Sequence, residues 1–120
     1  MDHIGSDQTV IERLVAWGES QPDVRAMMLT STRAVPGAVV DIFSDYDVIL
    51  VLRDVRPFNE SRSWLEAFGH VLAMYRDPLE LKSGHYQSAN VTQFVSGLKI
   101  DFNLWPVEFL QDMMNLLEIK

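Results

Sequence analysis

The sequence predicts an α/β (α+β) domain in which helices flank a mixed β-sheet. Three observations carry this. Apolar runs of strand length interleave with stretches whose apolar residues recur at helical spacing. Two alternating segments late in the chain meet at Ser96-Gly97, as in a β-hairpin. Apolar residues make up 48% of the chain, with three Trp and six Phe, which supports a packed core rather than disorder. A chain of 120 residues accommodates one such domain, so residues 1–120 are read as a single unit.

The elements follow in order. Asp7 to Trp17 reads as a helix, with Val10, Leu14 and Trp17 on one stripe and Gly18 as its stop. Val24 to Leu29 reads as a strand, and Ala34 to Ser44, with Pro36-Gly37, as a loop. Val48-Ile49-Leu50-Val51-Leu52 is a buried strand that Arg56-Pro57 closes. Asn59 or Ser61 then caps a second helix that buries Trp64, Leu65 and Phe68 before Gly69. His70 to Tyr75 is a further strand, and Arg76 to Gly84 is a loop. Tyr86 to Val95 and Lys99 to Trp105 are the hairpin strands. After Pro106 a last helix gathers Phe109, Leu110, Met113, Met114 and Leu117 on one side.

Composition narrows the function classes. The net charge of −7 disfavours nonspecific nucleic-acid binding, which needs Lys and Arg to neutralise phosphates. The same field attracts a cationic small molecule. The absence of cysteine excludes disulfides, thiolate metal sites and a cysteine nucleophile, and fits a reducing cytoplasm. Met1 to Asp7 has neither the basic nor the apolar region of a signal peptide, and no apolar run is long enough to cross a membrane.

The chemistry concentrates on acids. In Ser44-Asp45-Tyr46-Asp47 the two carboxylates are separated by one residue, so on a strand they project from the same face. Such a pair stays ionised most easily around a divalent cation, and Mg2+ shares its shell with substrate phosphates. The plain alternative is a solvated strand end. In Lys99-Ile100-Asp101-Phe102-Asn103-Leu104, alternation puts Lys99, Asp101 and Asn103 on one face. A mid-strand carboxylate needs a partner or a metal, so Asp101 either joins Asp45 and Asp47 or pairs with Arg33, Arg53 or Lys99. Thr30-Ser31-Thr32-Arg33 leaves the preceding strand, where hydroxyls, backbone N–H groups and a guanidinium can cradle phosphate. Tyr46 alternates toward the core, and His3, His70 and His85 lack metal-ligand spacing. Asp41 and Asp54 read as solvated loop acids.

Taken together, Ser31-Thr32-Arg33-Ala34, Phe43-Ser44-Asp45-Tyr46-Asp47, Trp64 to Gly69 and Lys99-Ile100-Asp101 resemble the aminoglycoside 6-adenylyltransferases (streptomycin adenylyltransferases), from about Val24 to Leu110. These belong to the nucleotidyltransferase superfamily with DNA polymerase β. The resemblance implies a polymerase β-like fold and AMP transfer from ATP to an aminoglycoside hydroxyl. It implies Asp45, Asp47 and Asp101 as catalytic Mg2+ ligands and Ser31, Thr32 and Arg33 as contacts to the triphosphate. Two departures are visible. The usual Gly-Ser before the Arg is Ser31-Thr32 here, and the helical domain that follows in the family would begin about where this chain ends. That domain, or a second copy of the chain, is the expected partner of the apolar last helix. The competing readings are a minimal, antitoxin-like nucleotidyltransferase acting on a protein, and a non-catalytic domain that binds nucleotide or a partner.

Overall fold

The computed structural model describes residues 7–29, 46–82 and 84–118. Helix α1 (Asp7–Ser20) and strand β1 (Val24–Leu29) precede β2 (Tyr46–Leu52). There follow α2 (Arg56–Glu60), a 3-10 helix (Ser63–Phe68), β3 (Val71–Arg76), β4 (Glu80–Lys82), β5 (His85–Phe94), β6 (Lys99–Pro106) and α3 (Val107–Glu118). The strand order is β1-β2-β6-β5-β3, with β4 also paired to β5. β2 and β6 run parallel, and the other described pairs are antiparallel. The expected mixed sheet with flanking helices is therefore what the chain forms.

One face of the sheet carries the core. Tyr46, Val48, Leu50 and Leu52 of β2 alternate inward beside Ile100, Phe102 and Leu104 of β6, all at most 3% exposed. The helices close over this face with aromatic rings. Trp17 of α1 stacks on Trp64 at 5.5 Å, and Phe102 lies 4.9 Å from Trp64 and 5.7 Å from Phe68. Burying each such ring contributes about 1.5–3 kcal/mol, before the smaller gain from edge-to-face geometry. Among the described residues, no helix is long and apolar enough to cross a membrane.

Three local expectations are corrected. Helix α1 does not stop at Gly18 but runs to Ser20. Gly18 lies inside the helix where α1 passes β1, and a Cβ there would come closest to the flexible tip of Met27, at 2.9 Å. The second helix is two elements. Pro57 sits in the first turn of α2, where its missing N–H costs nothing, and Asp54 Oδ1 accepts the Arg56 amide at 3.1 Å. Asp54 is thus an exposed loop acid, as expected, that also receives the first amide of α2. Ser61 is extended, and the Trp64 indole N–H donates to the carbonyls of Phe58 and Ser61 at 3.0 and 3.1 Å. The indole satisfies carbonyls that a continuous helix would have used. Finally, the stretch read as a loop contains β4, because β5 extends past its last β3 partner, Asn90, and leaves an edge for Glu80–Lys82.

Gly69 ends the 3-10 helix at φ 137° and ψ 178°, a conformation open essentially only to glycine. Gly69→Ala is expected to cost about 1–3 kcal/mol in chemical denaturation, through backbone strain. Phe102→Ala, at a fully buried ring, is expected to cost about 3–5 kcal/mol. A loss below 1 kcal/mol for Phe102→Ala would contradict the packing described.

Candidate functional site

The opposite face of the sheet holds the acids. Leaving the core positions aside, β2 turns Asp47 and Ile49 outward, and β6 turns Lys99, Asp101, Asn103 and Trp105 outward. In the parallel pairing Asp47 is the register partner of Asp101. Neighbouring strands lie about 4.8 Å apart, so these two half-buried carboxylates stand side by side. The Oδ1 atom of Asp101 is shielded from solvent. Two ionised carboxylates about 5 Å apart repel by roughly 3 kcal/mol at an effective dielectric near 20. A cation that binds both relieves that repulsion, and their hard oxygen donors suit Mg2+.

The backbone fixes this placement. Leu98 and Ile100 are buried on either side of Lys99, and Ile100 and Phe102 on either side of Asp101. A one-residue slip of β6 would bury the acids and expose the core, so register is strongly specified. The hairpin turn adds a second restraint. Phe94 N–H donates to Leu98 O at 2.8 Å, Gly97 N–H to Phe94 O at 3.0 Å, and the Gln93 amide also reaches Leu98 O at 3.3 Å. The row continues across the same face through Val91 of β5 to Tyr75 of β3, which is 67% exposed.

Helix α3 bounds this face at its far end. Phe109 packs edge-on against Trp105 at 4.9 Å, so Trp105 belongs to the α3 contact rather than to the helix-covered core. His85 Nε2 lies 2.7 Å from Asp112 Oδ2 and its ring 5.8 Å from Phe109, which ties α3 to the start of β5. Local sequence shows only that His85 lacks metal-ligand spacing, since its partner lies 27 residues away. Met113, Met114, Leu116 and Leu117 of α3 are exposed. A groove of about 380 Å3 lies elsewhere, between α1 and β1, lined by Leu14, Met27, Leu29 and Val48. Those residues face the helices, so this groove is not continuous with the acid face.

Of the residues named from the sequence, Asp47 and Asp101 are brought together. Asp45, Ser31, Thr32 and Arg33 lie outside the described residues. Among the described residues no group of three or more His, Cys, Asp or Glu forms a metal cluster.

Comparisons with known proteins identify the family. A family profile described as streptomycin adenylyltransferase matches residues 4–119. The chain belongs to that family. An aminoglycoside 6-adenylyltransferase of Bacillus subtilis (strain 168) is 28% identical over 111 residues, covering 89% of this chain and 39% of its own length. A second, from Campylobacter jejuni, is 23% identical over 109 residues, covering 89% and 38%. The crystal structure of an aminoglycoside 6-adenyltransferase from Bacillus subtilis superposes with a TM-score of 0.70 at 24% identity, over 91% of this chain and 38% of that one. The chain therefore spans about two fifths of the length of the relatives it matches, and the streptomycin adenylyltransferase fold extends to its sheet.

Loss of the His85 contact should loosen α3 alone. His85→Ala is expected to speed amide hydrogen exchange in α3 by an amount equivalent to about 1 kcal/mol, leaving β2 and β6 protected. Unchanged exchange in α3 would show that Trp105 and Phe109 hold the helix without it.

Proposed function

We propose that this chain is the metal- and nucleotide-binding part of an adenylyltransferase that moves AMP from ATP to a hydroxyl of a streptomycin-type aminoglycoside. The observation that carries the reading is the register pairing of Asp47 with Asp101 on an open sheet face. The membership of the streptomycin adenylyltransferase family supports the reaction class. The net charge of −7 suits a cationic acceptor.

Asp47 and Asp101 would hold Mg2+ with Asp45, and Ser31, Thr32 and Arg33 would contact the triphosphate. When bound, the metal neutralises charge on the transferred and leaving phosphate oxygens. The chain's own residues do the rest. The sheet presents the two carboxylates at fixed spacing, so the nucleotide is oriented before reaction. The acceptor oxygen bonds to the α-phosphorus in line as the bond to the pyrophosphate oxygen breaks. Asp101 would take the acceptor's proton. Pyrophosphate leaves with the electron pair.

A second reading is a minimal nucleotidyltransferase acting on another protein, for which the exposed Met113, Met114, Leu116 and Leu117 of α3 offer an apolar docking surface. In either case the exposed apolar residues of α3 are where a helical domain or a second copy would pack.

Calorimetry tests the metal site. ATP is expected to bind only with Mg2+, and Asp47→Asn to weaken binding at least tenfold, whereas Glu12→Gln on the exposed side of α1 leaves it unchanged. Equal binding in EDTA would overturn the metal reading. Pyrophosphate release by the 120-residue chain is expected to be slow or absent with streptomycin, because acceptor orientation is worth up to roughly 7–11 kcal/mol of barrier. Rapid streptomycin-dependent release that Asp47→Asn abolishes would show that these residues suffice.

A further inference from the structure

We propose that Lys99 is a polyphosphate-binding residue that makes this site select a nucleoside triphosphate over a monophosphate. The inference rests on the nucleotide reading above and adds to it a residue and a specificity.

Lys99 lies on the acid face, two residues before Asp101 on the same strand. Two residues of strand rise by about 6.6 Å, which sets the Lys99 backbone one pleat repeat beyond the carboxylate pair. The direction is imposed rather than chosen by the flexible side chain, since Leu98 and Ile100 are buried on either side. Lys99 also sits at the sheet end where β1 exits, because Leu29 pairs with Val48 at the start of β2. A polyphosphate whose α-phosphate is near Asp47 and Asp101 can extend along β6 toward Lys99.

Charge favours such a residue. A triphosphate approaching two carboxylates on a protein of net charge −7 meets repulsion that one divalent ion only partly removes. The described arginines lie away from the acid face. Arg13 and Arg76 donate to carbonyls on the helix-covered side, and Arg25 lines the α1 groove. Arg53 and Arg56 follow the far end of β2, and Arg62 precedes the 3-10 helix. Among the residues whose side chains are described, Lys99 is thus the cation on the acid face. An ammonium on a long stem is well suited to a phosphate oxygen, as a compact point charge that follows it by rotation.

The competing role is screening: Lys99 could simply offset the charge of Asp101. The two roles differ in what they do to AMP. Titrations of the 120-residue chain with ATP, AMP and inorganic pyrophosphate, each with Mg2+, separate them. Lys99→Ala is expected to weaken ATP and pyrophosphate about tenfold or more, with AMP changed less than about twofold. Lys99→Arg should recover most of the loss. Thermal unfolding of each variant checks that the sheet is intact, and Lys99→Gln, which keeps most of the stem, serves as a second variant. An equal loss for ATP and AMP would assign Lys99 to screening and overturn the proposal. So would unchanged ATP affinity in Lys99→Ala and Lys99→Gln beside a wild type that binds. Failure of the wild type itself to bind magnesium-ATP would overturn the nucleotide reading, and the role of Lys99 with it.

Discussion

The parallel pairing of β2 with β6 is the constraint on which everything else depends. It joins segments more than fifty residues apart, with Tyr46 opposite Ile100 and Leu52 opposite Pro106. That register puts four inward residues of β2 beside three of β6 to form the core. The same register places Asp47 beside Asp101 on the other face. Core and site are therefore two consequences of one alignment, and neither can be shifted by a residue without losing the other.

The two faces divide the labour. The helix-covered face is dry and aromatic, with Trp17, Trp64, Phe68 and Phe102 in mutual contact. Close packing there makes the strands a rigid platform. The acid face is left open over much of its width, with α3 bracing one end through Trp105, Phe109 and His85. Polar groups also enter the dry side. Ser88, Asn90 and Thr92 of β5 are buried, and the Thr92 hydroxyl donates to Asn90 at 2.9 Å. Such groups cost stability unless bonded.

The exposed apolar residues of α3 and the charge of the acid face set the two directions in which this domain can bind. One side offers apolar surface suited to a packed protein partner. The other offers carboxylates and a lysine suited to metal and phosphate. Both adjoin the same two strands, so a partner docked on α3 would lie beside whatever occupies the acid face.

Local chemistry determined much of this protein before folding is considered. Alternation in Lys99 to Leu104 assigns Asp101 to the face away from Phe102, and Ser96-Gly97 specifies the hairpin, because both depend on neighbours within a few residues. The stripe of Val10, Leu14 and Trp17 likewise fixes which side of α1 is buried. Other features were settled only by tertiary contact. Gly18 reads as a helix stop, yet α1 runs past it to Ser20. Trp64 divides the expected second helix because its indole finds carbonyls of the preceding turn. β4 exists because β5 offers an edge, and β5 itself turns Ser88, Asn90 and Thr92 inward, against the usual polarity of a strand. The pairing of His85 with Asp112, and of Asp47 with Asp101, cannot be read locally. A side chain's face is set by its own strand, but its neighbour is set by which distant strand lies alongside.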